Sequence, residues 1–285
     1  VSRSKNRPPR LEPSAPVAHE AQPPTPEERL DQAKVTGPGG SGPGPTELRR
    51  LVERLALNDR RSLGELAPMP GVSTEDAWAA VTATYGATPA TAAIDAMRTL
   101  DATRRAAARV VEVGTTGARI AVATARPASL LTVDMAWARL AAAAGAEVVD
   151  LADYGPIRAD GRTPRWLRWI GSVAVVSDGR ALCDTSDGEA AREWMFAVPR
   201  PAIVVADGPF ADVAWEAGIE VVALAGLDRP GLAVAAARDR RGLVVPMRTD
   251  RPARAYAPVE ALIGDTQSRT NADSDPLESR TDNEV

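Results

Sequence analysis

A single histidine, a single cysteine, two phenylalanines and three tyrosines occur among the 285 residues, and each scarcity excludes something. The histidine, His19, falls in a Pro/Gly-rich stretch that reads as disordered. That removes imidazole from any active site, and with it Ser-His-Asp and Cys-His triads and histidine-phosphatase chemistry. Cys183 on its own forms neither an internal disulfide nor a thiolate metal cage, and it suits a reducing compartment. No run of about 18 apolar residues occurs, and the N-terminal region lacks the apolar core of a signal peptide. The expectation is a cytoplasmic protein without a membrane partner. An excess of basic charge is also missing: 38 acidic against 34 Lys and Arg give a net charge of −4. A nucleic-acid binder needs a basic face, so no nucleic-acid partner is expected. The one local basic cluster, Arg49, Arg50, Arg54, Arg60 and Arg61, reads as the solvated face of a helix. No Gly-rich phosphate loop is present, and the first core strand ends in Thr124 rather than in an Asp-x-Asp signature.

What is there falls into four parts. Residues 1–45 are crowded with Pro, Gly, Ser and charge, and residues 265–285 hold almost nothing apolar. Both are expected to be disordered, because they bury too little to offset the entropy of ordering. Residues 46–113 read as an N-terminal helical subdomain. Its first helix starts after Thr46, its second after a Ser73–Asp76 capping box, and its third at Thr88-Pro89, running to Val113. Residues 114–264 read as the α/β core: a mostly parallel, Rossmann-like three-layer sheet with helices on both faces. Its predicted strands are 118–124, 146–151, 166–170, 173–177, 202–206, 219–224 and 243–246, with 152–164 as a polar loop, 166–170 and 173–177 as an antiparallel pair across Gly171-Ser172, and 181–183 as a short returning strand.

Two of those strands deliver the same dipeptide to one edge. Val173–Ser177 is followed by Asp178-Gly179, and Ala202–Ala206 by Asp207-Gly208. Open α/β sheets place their chemistry outside the carboxyl ends of their strands. The two carboxylates therefore read as catalytic, either in proton transfer or as ligands of a hard cation such as Mg²⁺. Asp-Gly is also plain turn chemistry. Asp228 is a third candidate ligand, or the cap of the helix that follows. The stretch Thr124-Ala125-Arg126-Pro127-Ala128-Ser129 joins a strand to a helix N-terminus, where backbone N–H groups favour an anion. Thr124, Arg126 and Ser129, with the turn glycines Gly179 and Gly208, are the expected substrate-binding residues; Arg126 would clamp a phosphate. The acidic run Asp184, Asp187 and Glu189 lacks a full calcium-loop pattern and reads as helix capping.

Four blocks carry a resemblance. They are ATARPASLL (123–131), RWIGSVAVVSDGRALCDTSD (168–187), IVVADGPFADVAWEAGIEVVALAGLDRPGLAVA (203–235) and PMRTDRPARAYAPVEALI (246–263). In this order they resemble an actinobacterial family catalogued as phosphatases. Relatives tend to read Ala-Thr-Gly-His-Pro where this chain has Ala125 and Arg126. They carry Asp-His or Asp-Arg before Gly-Phe-Ala where Asp207-Gly208-Pro209 stands, and Asn-Asp-Pro near Leu227-Asp228-Arg229-Pro230. The resemblance implies a phosphoric-monoester hydrolase acting on a small phosphorylated metabolite. The departures leave a second expectation open, a non-catalytic module that binds a small anion or a protein partner.

Overall fold

The computed structural model describes residues 23–38, 42–157, 164–186, 188–239 and 241–273. The chain opens with helix α1 (Pro26–Gln32), strand β1 (Gly37–Pro38), and helices α2 (Pro45–Ala56), α3 (Arg60–Leu63) and α4 (Thr74–Tyr85). Strand β2 (Ala93–Ile94) and the long helix α5 (Ala96–Gly114) lead into β3 (Arg119–Thr124), α6 (Pro127–Ala143) and β4 (Glu147–Val148). Next come β5 (Tyr154–Ile157), β6 (Arg165–Ile170), β7 (Val173–Ser177), β8 (Leu182–Cys183) and α7 (Gly188–Ala197). The last part alternates: β9 (Ile203–Asp207), α8 (Gly208–Glu216), β10 (Glu220–Ala225), α9 (Pro230–Asp239), β11 (Gly242–Pro246) and, after a 3₁₀ turn, α10 (Ala257–Asp273).

The molecule is α/β, and its main sheet is mixed. The strand order is β11-β10-β9-β3-β7-β6-β5, with β4 against the start of β3 and β8 against the end of β7. The pairs β11–β10, β10–β9, β9–β3, β3–β7 and β3–β4 are parallel. Strands β5, β6 and β8 pair antiparallel. The expected mostly parallel, Rossmann-like sheet therefore holds only as far as the α/β class. The tight Gly171-Ser172 reversal, with both residues at positive φ, returns β6 onto β7 as a hairpin, which a crossover helix would not do.

Strand alternation sorts the core into two layers. Ala121, Ala123, Val204, Ala206, Val221 and Ala223 face one side, with α7, α8 and α9. Ile120, Val122, Ile203, Val205, Val222 and Leu224 face the other, with α5, α6 and α10. Small residues on the first side let α8 lie close, and Phe210 on α8 meets Trp194 on α7 edge-on at 5.3 Å. Such an aromatic pair adds about 0.5–1.5 kcal/mol beyond its area.

Several expectations shift. Part of the expected N-terminal tail is folded: α1 is closed by a Thr25–Glu28 capping box and buries Leu30; residues 1–22, with His19, lie outside the described residues. At the other end α10 runs to Asp273 because Val259, Leu262 and Ile263 bury against the α5–α6 layer. Helix α2 starts at Pro45, with Gly44 rather than Thr46 as its cap, whereas the Ser73–Asp76 box of α4 is in place. The long helix starts at Ala96, not Thr88. Asp95 caps it by accepting from the Met97 and Arg98 N–H groups, and Thr88 and Thr91 close a turn on each other instead. Helix α5 is itself a layer on the sheet, packed on β11, α6 and α10, while α2 to α4 cluster around α9. No helix among the described residues is long and apolar enough to cross a membrane.

Candidate functional site

Neighbouring strands β3 and β9 send their following helices to opposite faces of the sheet: α6 packs in one layer and α8 in the other. Such a divergence opens a crevice beyond the carboxyl ends of the strands. A cleft of about 820 Å³ lies there, with Arg126, Gly208, Pro209, Asp228 and Arg229 contributed by the strand ends. Arg60, Arg61, Ser62, Gly64 and Glu65 come from the α3 segment, Thr185 and Ser186 from the β8–α7 connection, and Arg192 from α7. Five guanidinium groups thus surround one opening.

Arg126 is positioned from three sides. Its backbone N–H donates to Thr124 Oγ1 at 3.0 Å, and its guanidinium donates to Asp228 Oδ2 at 2.8 Å and to the Thr249 hydroxyl. Partial burial opposes its charge, but Asp228 and Asp207 more than offset that and hold the group above its ordinary pKa. Arg229 Nη1 donates to Asp212 Oδ2 at 2.6 Å. That oxygen also accepts the Glu65 N–H at 3.0 Å. Burial lifts the Asp212 carboxyl to about 6 against the pull of Arg229. Gly64 makes room for this pair: it sits at φ +66, and a Cβ there would stand 2.3 Å from Arg229 Nη1. Arg192 pairs with Glu65 at 2.6 Å. Arg60 and Arg61 have no side-chain ion pair among the described residues.

The predicted site residues separate. Arg126, Gly208 and Asp228 line the cleft. Asp207 lies beneath it, 1 % exposed, with Oδ1 accepting the Ala125 N–H at 2.8 Å. Burial pushes its pKa up. Thr124 is buried beside it, and Ser129 sits in the first turn of α6 outside the cleft lining. Asp178 and Gly179 are not in the cleft either. Asp178 accepts from the Arg180 and Ala181 N–H groups, both at 2.9 Å, within its own turn. Those two bonds hold its pKa below the usual carboxylate range. Among the described residues no three His, Cys, Asp or Glu side chains gather as a metal-binding group. Asp178, Asp207 and Asp228 therefore do not form the single ligand set expected for Mg²⁺: one serves its own turn, one is sealed below the floor, and one holds Arg126. Asp187, of the acidic run, lies outside the described residues.

Other residues escaped the sequence reading. Arg60 and Arg61 belong to α3 rather than to the solvated face of α2, and they turn to the cleft. Asp212 and Asp134 left a signal that went unused: each interrupts an otherwise apolar stretch, Phe210–Trp215 and Val133–Trp137. Asp134 is fully buried, and burial together with the neighbouring Asp207 raises its pKa well above normal. Neither of its oxygens, nor Asp207 Oδ2, has a hydrogen-bond partner of good geometry.

The profile of a family described as Phosphatase matches residues 74–269. That is more than half of the chain, and the chain belongs to this family. It is also similar to Phosphatase SCO2771 of Streptomyces coelicolor, with 29% identity over 159 residues, 54% of this chain and 59% of that relative. The chain thus spans less than two thirds of the length of the curated relative it matches.

Proposed function

We propose that the protein hydrolyses phosphoric monoesters of small metabolites, with the phosphate held in the arginine cleft. One observation carries this reading: five guanidinium groups converge where two strand ends and the first turn of α8 meet. Guanidinium forks match phosphate oxygens, and a helix N-terminus adds free N–H groups. Phosphoryl transfer asks a protein mainly for positioning and charge compensation. In this reading Arg126 and Arg229 hold the transferring group. Asp228, the predicted carboxylate at the cleft wall, takes a proton from the attacking water. The new P–O bond forms as the ester P–O bond breaks, and the departing alkoxide receives the proton. Asp207 is a positioning residue: its grip on the Ala125 N–H fixes the turn that presents Arg126.

The test is turnover of a panel of aliphatic and sugar phosphomonoesters. Asp228→Asn is expected to lower kcat/KM by about a hundredfold or more, the loss typical of a proton-transfer group, with an unchanged unfolding midpoint. Phosphate release that survives intact in this variant would remove Asp228 from the mechanism. Anion binding without turnover is the second reading, favoured by the ion-pairing of both wall carboxylates, Glu65 and Asp228, to arginines. Thermal stabilisation by phosphate in a protein that releases none from any ester would select it.

A further inference from the structure

The positive charge of the cleft is unevenly placed. Asp228 offsets Arg126, Glu65 offsets Arg192 and Asp212 offsets Arg229. Arg60 and Arg61 remain, both exposed and without a side-chain ion pair among the described residues. They belong to α3, in the segment 60–65 that lines the cleft together with the strand ends carrying Arg126 and Arg229. Next to them in sequence, and among the residues lining the cleft, is Ser62, which is 3% exposed with an Oγ that has no hydrogen-bond partner. A buried hydroxyl without a partner is costly unless a ligand completes it. The floor lies within the family-matched residues 74–269 and the rim precedes them.

The lining also says what the ligand lacks. Among the described residues around the cleft no aromatic side chain occurs, and Pro209 is the main hydrocarbon surface. A purine or pyrimidine ring would find nothing to stack on. Arginine forks, hydroxyls and backbone N–H groups instead suit a polar aliphatic molecule with charge at two ends.

Resting on the reading of the cleft as a phosphate-ester site, we propose that the substrate is an aliphatic bisphosphate, one phosphate at Arg126 and Arg229 and the second held by Arg60, Arg61 and Ser62. The floor binds the phosphate that is cleaved, and the rim selects molecules bearing another.

Calorimetric titration of the full chain with butyl phosphate, butanediol bisphosphate and adenosine monophosphate tests this. The bisphosphate is expected to bind at least about tenfold more tightly than butyl phosphate, and the nucleotide no better than butyl phosphate. In R60A/R61A that advantage should fall to about one, with butyl phosphate affinity losing much less than bisphosphate affinity does. The charge reversal R60E/R61E should turn preference into discrimination against the bisphosphate, and Arg126→Ala should weaken both ligands alike. Equal binding of the two phosphates by the wild-type protein, or an advantage that survives R60A/R61A, would overturn the proposal while leaving the floor intact. Failure of all three ligands to bind the wild-type protein would overturn the phosphate-ester reading itself.

Discussion

The two Asp-Gly turns are the most informative pair in this molecule, because their sequences promise the same thing and their surroundings differ. Both follow strands of one sheet, β7 and β9, each parallel to β3. After β7 the chain reverses at once into β8, and Asp178 spends its carboxylate on the N–H groups of residues 180 and 181. After β9 the chain enters α8, so the Asp207 side chain has no local turn to cap and reaches across to Ala125 on the neighbouring element. The exposed carboxylate is held below its usual pKa by two N–H donors, and the sealed one is pushed above it by burial. A dipeptide acquires a role in a site from what packs behind it.

The comparison breaks most visibly through the support behind Gly208. Arg229 stands between that turn and Asp212, whose side chain is 1% exposed. Arg229→Met strands a buried carboxylate, and a loss of about 3–5 kcal/mol in urea unfolding is expected. The double variant R229M/D212L should recover much of it, since the two losses share one cause. No substitution in the Asp178 turn should approach this figure.

Activity separates the two aspartates next. Asp207→Ala releases the Ala125 N–H and with it the Arg126 turn, so kcat/KM should fall by about a hundredfold, equivalent to about 2.7 kcal/mol. Asp207→Asn keeps an acceptor in place and should restore activity to within about tenfold of wild type. If asparagine is as damaging as alanine, the carboxylate works through its charge or proton and not through position. Asp178→Ala should leave kcat/KM within about threefold, with only the small stability loss of an exposed turn.

The glycines sharpen the contrast in stability. Gly208 sits at φ +55, where a Cβ would lie 2.9 Å from Ala125 Cβ. Gly179 sits at φ +90, with its nearest neighbour, Trp166, at 3.2 Å. Both alanine variants carry the cost of positive φ, about 1 kcal/mol. Gly208→Ala should cost a further 1 kcal/mol or so in its packed surroundings, and chemical denaturation of the two variants measures the difference.

The smallest effect is a titration of opposite sign. For Asp207, Asp134 and Asp212 the folded pKa exceeds the unfolded one. The native state then binds more protons, and stability falls as pH rises; for Asp212 the window runs from its unfolded value near 4 up to about 6. Asp178 acts in reverse: its contribution is present above its unfolded pKa and is lost as pH falls through the depressed folded value. Urea midpoints between pH 4 and 7 should therefore decline in the wild-type protein and decline less in Asp134→Asn. A flat wild-type profile would mean that the buried carboxyls titrate normally.

How far these features were legible in the sequence follows from their range. Most strand runs, the helices α6, α7 and α9, the α4 capping box and the strand-to-helix turn at Arg126 follow local preference and could be read directly; the strand expected over 146–151 keeps only Glu147–Val148, and β5 forms in a stretch that reads as polar loop. The family could be read too, from blocks such as ATARPASLL and IVVADGPFADVAW. The start of α5 could not, because Thr88-Pro89 and Asp95 both offer a helix opening and only the packing of Ala96–Gly114 against the sheet chooses between them. Arg60 and Arg61 looked like a solvated face because α3 is a single turn, followed by Glu65, whose N–H is bound by Asp212 at a separation of 147 positions in the chain.

By itself the sequence determined the α/β class, the family, and a strand-to-helix turn at Arg126, since local preference and hydrophobic alternation suffice for each. Tertiary structure alone decided which acidic groups share a neighbourhood. Whether a carboxylate caps its own turn, grips the next strand or holds an arginine depends on the order of strands and the face each helix takes, and residues distant along the chain set both.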